Sequence, residues 1–120
     1  MPSLRYLSLC SGIEATSVAW EPLGWEPIGF CEIEEFPSAV LAHRFPSVPN
    51  YGDMTQLEGR NLGTVDIVVG GTPCQGFSIA GKRCGLADER SGLALQFVGL
   101  VSDVRPRWLL WENVPGVLSV

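Results

Sequence analysis

Four side chains stand out as able to do chemistry: one thiol, Cys74, and three carboxylates, Glu32, Asp53 and Glu112. Cys74 sits in Gly70-Gly71-Thr72-Pro73-Cys74-Gln75-Gly76-Phe77-Ser78, directly after the apolar run Asp66-Ile67-Val68-Val69. That run predicts a buried strand. A thiol on a glycine-flanked loop at the carboxyl end of a strand lies where open α/β sheets bind ligands. Such a cysteine reads either as a reactive thiolate or as an inert small apolar side chain. His43 is the only histidine and is remote in sequence, so a Cys-His hydrolase has little support.

The carboxylates invite similar pairs of readings. Gly12, in Cys10-Ser11-Gly12-Ile13-Glu14, stands between a first strand and a first helix, where a missing side chain lets backbone approach a ligand. Glu32 follows twenty residues later at the end of a second strand. That is the spacing of the acid that holds ribose hydroxyls in dinucleotide-type folds; the alternative is an ordinary turn and a surface glutamate. Asp53, in Gly52-Asp53-Met54-Thr55, could accept a hydrogen bond from an adenine amino group or serve as a helix N-cap or turn residue. Glu112 follows Trp108-Leu109-Leu110-Trp111. A carboxyl partly buried by tryptophans at a sheet edge would have a raised pKa and could act as an acid near neutral pH; otherwise it is a solvated strand end. Lys82, Arg83 and Arg90 surround the loop after Cys74, with Gly76, Gly81, Gly85 and Gly92 as hinges. They suit a segment that grips phosphates, or simply a solvated loop.

The elements that must position these groups alternate. Strands are expected at residues 4–9, 27–31, 51–55 (a short strand or turn), 65–69 and 108–111. Helices are expected at 14–20, closed near Gly24, at 36–45, where Phe36, Val40 and Leu41 recur at helical spacing and Pro46 ends the run, and at 93–104, with Leu93, Phe97, Leu100, Val101 and Val104 on one face. Residues 79–91 read as loop. Strand-helix alternation implies an α/β fold with a mostly parallel sheet. Such a sheet would bring Gly12, Glu32, Asp53, Cys74 and Glu112 to one edge.

Composition limits the alternatives. The chain has 120 residues, 46% hydrophobic and 18% charged, which suits one globular domain with a modest core. No apolar run is long enough for a membrane span, and the N-terminus lacks the pattern of a signal peptide, so a cytoplasmic protein is expected. Cys10, Cys31, Cys74 and Cys84 form no Cys-x-x-Cys pair, which argues against a zinc site and a disulfide framework. A net charge of −5 argues against strong nucleic-acid binding by these residues alone.

Together the motifs resemble the DNA (cytosine-5) methyltransferases over nearly the whole chain and in family order. Leu7 to Glu14 looks like the cofactor loop, Cys31-Glu32-Ile33-Glu34 like the ribose-binding acid, and Gly52-Asp53-Met54-Thr55 like the adenine-side aspartate. Gly71 to Ser78 looks like the nucleophile loop, followed by the family-like Gly81-Lys82, Asp88 and Arg90-Ser91-Gly92-Leu93, and Glu112-Asn113-Val114 looks like the family's acid. The resemblance implies the N-terminal part of a Rossmann-like, S-adenosylmethionine-dependent methyltransferase domain. It implies Cys74 and Glu112 as catalytic residues, with Cys10, Gly12, Ile13, Glu14, Glu32, Ile33, Asp53 and Pro73 around the cofactor. Gln75, Ser78, Lys82 and Arg90 are implied at double-stranded DNA whose target cytosine is flipped out. Two positions depart from the family pattern: the usual Phe-x-Gly-x-Gly is Cys10-Ser11-Gly12-Ile13-Glu14 here, and Ile33 stands where an aromatic often packs on adenine. The family's target recognition domain and final cofactor-pocket segment have no counterpart in these residues. The expectation is therefore a catalytic part that is inactive alone, in a bacterial or phage-infected cell and in restriction-modification or a phage role. The alternative is a non-catalytic remnant or one chain of a split methyltransferase.

Overall fold

The computed structural model describes residues 3–71 and 92–112. Four strands, β1 (Arg5–Leu9), β2 (Glu26–Cys31), β3 (Ile67–Gly70) and β4 (Trp108–Trp111), form one sheet in the order β2-β1-β3-β4. Every pairing is parallel. Three α-helices accompany them: α1 (Ala15–Trp20), α2 (Glu35–Arg44) and α3 (Gly92–Val104). This is the α/β fold that the alternation predicts, a partial Rossmann-like sheet.

Alternation along β1 divides the core. Leu7 and Leu9 face one side and pack with Val68, Met54 and the α3 residues Phe97, Leu100 and Val104. Tyr6 faces the other side with Ile67 and Val69, covered by Trp20 and Trp25. Tyr6 and Trp20 meet edge to face at 4.9 Å between ring centroids, a favoured aromatic geometry. The central strands are buried on both faces, as parallel strands between helices are.

Three expectations are corrected. Residues 51–55 form no strand: Asn50 makes an isolated parallel bridge to Phe30, and a 3-10 turn at Met54–Gln56 follows. Pro49 offers no N–H to a ladder, and the Asp53 side chain takes the Thr55 N–H for itself. Phe36 does not join the core. It is 74% exposed, because α2 meets the sheet through its carboxyl-terminal half, with Leu41 buried and Phe45 packed on Phe30. Finally, Glu112 is exposed, not partly buried by tryptophans, because β4 is an edge strand whose four residues are all exposed. The expected loop at 79–91 lies outside the described residues.

Candidate active site

Register decides which residues meet. Leu9 pairs with Cys31 on one side and Gly70 on the other, and Gly70 pairs with Trp111. The residues after these ends, Cys10, Glu32, Gly71 and Glu112, therefore share one edge. Chain direction across the sheet reverses between β1 and β3, since β2 and β3 flank β1 on opposite sides. Such a switch point opens a crevice at the carboxyl ends of the strands. A cleft of about 270 Å³ lies there, lined by Cys10, Cys31 to Glu34, Gly52 to Met54, and Gly71.

The turn after β1 is tightly bent. Cys10, Gly12 and Glu14 have φ of 51°, 57° and 70°, all in the left-handed region. At Gly12 this suits a residue without Cβ. The Gly12 N–H donates to Glu32 Oε1 at 2.7 Å, and the Glu34 N–H donates to Oε2 at 2.8 Å. Each carboxylate oxygen of Glu32 keeps acceptor capacity beyond these bonds, so it can still receive a hydroxyl from a ligand. Asn50, a residue without a sequence-level assignment, fixes the Glu32 backbone: its Oδ1 accepts from the Glu32 N–H at 3.0 Å and its Nδ2 donates to the Glu32 carbonyl at 3.1 Å. The polar residue between Pro49 and Tyr51 was the available signal, but its partner is remote in sequence.

Ile33 stands 70% exposed beside Glu32 and offers an apolar face at the mouth of the cleft. Asp53 accepts from the backbone N–H and the hydroxyl of Thr55, at 2.9 and 2.8 Å, and these bonds hold its carboxyl below the usual carboxylate value. It is thus an ionised N-cap of the 3-10 turn and also lines the cleft. Burial, reinforced by Glu32 and Asp53, pushes the Cys10 thiol to about 11. Burial pushes Cys31 to about 12. Both are neutral thiols near pH 7.

Ile13 is 58% exposed and does not line the cleft. Glu14 lies beneath the turn with its side chain 1% exposed, turned away from the cleft. Pro73, Cys74, Gln75, Ser78, Lys82 and Arg90 lie outside the described residues. Glu112 does reach Gly71, three residues before Cys74 in sequence. A methyl group at Gly71 would stand 2.5 Å from Glu112 Oε2 and 3.1 Å from its carbonyl oxygen. A side chain at Gly71 would therefore have to displace the Glu112 carboxylate.

The donor set fits the S-adenosylmethionine that the resemblance implies: a carboxylate with spare acceptor sites for a ribose, an exposed apolar side chain for a base, and an ionised acid for an amino group. Among the described residues no group of three or more His, Cys, Asp and Glu could hold a metal ion.

The family profile of the C-5 cytosine-specific DNA methylases matches residues 4–120. The chain belongs to this family. Among similar curated proteins is the "DNA N-6-adenine-methyltransferase" of Escherichia phage P1, 54% identical over 99% of this chain and 18% of that protein. The "Orphan methyltransferase M.Rho11sI" of Bacillus phage rho11s is 37% identical over 99% of this chain and 24% of its own length. The "Type II methyltransferase M.DsaV" of Dactylococcopsis salina is 32% identical over 95% of this chain and 32% of its own length. The chain thus spans less than a third of each of these relatives. Among the described residues of this methylase-family chain, no helix is long and apolar enough to cross a membrane.

Proposed function

We propose that this chain is the cofactor-binding and nucleophile-bearing part of a DNA (cytosine-5) methyltransferase. The observation that carries the reading is the approach of Gly71, three residues before Cys74 in sequence, to the Glu112 carboxylate at the edge that also holds Cys10 and Glu32. Glu32 would hold the ribose hydroxyls of S-adenosylmethionine. Asp53 would take the adenine amino group, Ile33 the adenine face, and the Cys10–Ile13 turn and Pro73 the remainder. When bound, the cofactor supplies an electrophilic methyl group.

Cytosine C5 is a poor nucleophile, and the residues of this chain would correct that. The Cys74 thiolate adds to C6, forming a carbon-sulfur bond, while the Glu112 carboxyl gives a hydrogen bond or proton to N3. The ring electrons then gather at C5, which becomes enamine-like. After methylation the C5 proton is lost and the C6–S bond breaks, returning the thiolate. The base must leave the duplex for the thiol to reach it. Gln75, Ser78, Lys82 and Arg90 would hold the DNA around it. With eight cationic residues against thirteen acidic ones, and less than a third of its relatives' length, the 120-residue chain by itself is proposed not to turn over DNA. The alternative reading is a non-catalytic remnant or one chain of a split enzyme.

The test is the position of the methyl group. DNA treated with the chain in its complete reading frame, and with labelled cofactor, is digested to nucleosides and analysed by mass spectrometry. Label in 5-methyl-2′-deoxycytidine, lost more than ~10⁴-fold in Cys74→Ser and ~10²–10⁴-fold in Glu112→Gln, is expected. Label in N6-methyladenine that survives Cys74→Ser contradicts the proposal. Absence of any label, with cofactor binding intact, favours the remnant.

A further inference from the structure

Glu14 violates two rules at once. Its carboxylate is among the most buried side chains of the chain, with no ion pair to it among the described residues. Its backbone is left-handed, φ 70° and ψ 59°, a conformation that strains a residue with a Cβ. It occupies the N-cap of α1, yet its side chain makes no capping bond, so helix initiation does not explain it. A residue with two penalties persists only where its surroundings over-determine it, and such outliers cluster at functional sites.

The surroundings are a three-hydroxyl chain. Ser8 of β1 donates to Glu14 Oε1 at 2.9 Å, and Ser17 of α1 donates to Oε2 at 3.0 Å. The Tyr6 hydroxyl lies 2.7 Å from Ser17 Oγ and, with the Ser17 proton directed at Glu14, donates to it. The carboxylate therefore laces strand to helix directly below the turn. Above the turn the Gly12 N–H is held by Glu32, and the Ser11 N–H by the Cys31 carbonyl at 3.2 Å. The Glu14 N–H itself returns to the Ser11 carbonyl at 3.0 Å. One carboxylate grips the turn from the cleft and the other from the core.

We propose that Glu14 is a positioning residue, which holds the Cys10–Ile13 turn at the height where the Gly12 N–H meets Glu32 and so sets cofactor affinity without touching the cofactor. The inference rests on the reading of this edge as the S-adenosylmethionine site. It differs from direct contact in what substitution does. Glutamine keeps one acceptor oxygen for one serine hydroxyl and offers an N–H to the other, which must turn to accept it. Glycine removes the left-handed strain but also the tether.

The experiment is titration calorimetry with S-adenosylmethionine on the wild type, Glu14→Gln and Glu14→Gly. It is paired with thermal midpoints and with steady-state KM values for cofactor and DNA, on the chain in its complete reading frame. Expected are affinity within about 3-fold of wild type for Glu14→Gln and a loss of about 10-fold or more for Glu14→Gly. The loss should appear in KM for cofactor with KM for DNA unchanged. Wild-type affinity in Glu14→Gly overturns the proposal, as does an equal loss in Glu14→Gln, or a loss shared by both KM values. If Glu14→Gly fails to fold, Ser17→Ala decides. Several-fold weaker cofactor binding supports the tether, and unchanged binding overturns it. A wild type that binds no cofactor overturns the reading of the edge itself, and this inference with it. That failure is seen before any variant is compared.

Discussion

At the level of single residues, the cleft separates its cysteines by electrostatics. Cys31 is buried and Cys10 half-buried beside Glu32 and Asp53, and the Cys10 thiol, moved from 9.0 to about 11, carries roughly 100-fold less thiolate than an ordinary thiol below pH 9. Iodoacetamide at pH 8 should therefore modify Cys10 and Cys31 slowly, leaving fast labelling to Cys74 or Cys84; peptide mapping that finds Cys10 modified first would contradict this electrostatic picture. Gly71 gives a second expectation. In Gly71→Ala the added methyl group must push the Glu112 carboxylate aside, because the other close atom is backbone. Methyl transfer should fall ~10²-fold or more through kcat, since the displaced group is the proposed acid. Because Gly71 also lines the cleft, calorimetry separates two effects: a loss of affinity matching the loss of rate would mean that the methyl group acts on the cofactor site and not through Glu112.

Among the elements, stability is concentrated where α3 covers β1 and β3. Phe97, 1% exposed, sits in that contact, so Phe97→Ala should cost about 3–5 kcal/mol in denaturant unfolding. Val98, one residue on but 60% exposed, should change stability by no more than about 0.5 kcal/mol when cut to alanine. Equal effects would mean that the helix is rotated. The α3 face was legible because Phe97, Leu100 and Val104 repeat at helical spacing, and the central strands because Val68 and Val69 sit in a β-branched run. The segment at 51–55, open in sequence between a short strand and a turn, is a turn because an aspartate that hydrogen-bonds its own backbone outcompetes a ladder. The burial of Glu112 was misjudged for another reason: β4 is the edge strand, and its carboxyl end leaves the Glu112 side chain in solvent although Trp111 stands near Phe97 of α3. Glu14 lay in a recognisable motif, but the direction of its side chain depends on Ser8 and Ser17 meeting beneath a turn, a three-dimensional fact.

For the whole molecule, the parallel sheet is a device for bringing residues far apart in sequence to one edge, from Cys10 to Glu112. That several of the singled-out residues share a cleft was legible from strand order: Glu32 and Asp53 line it with Cys10 and Ile33. Its fastening was not legible, since Asn50, Gly71 and Glu14 act through contacts that no short motif encodes. The same edge ends in an exposed strand, β4, and in a chain that spans less than a third of the relatives described above. The central claim is that this edge delivers the Cys74 thiolate to a cytosine. Its most direct test is incubation of the chain, in its complete reading frame, with cofactor and duplex DNA in which 5-fluorocytosine replaces cytosine. Fluorine at C5 cannot leave as a proton, so the thiolate cannot be expelled after methylation. The account predicts a protein-DNA adduct that survives denaturation, maps to Cys74 by mass spectrometry and is absent in Cys74→Ser. A methylating protein that forms no such adduct, or an adduct that persists in Cys74→Ser, would contradict it.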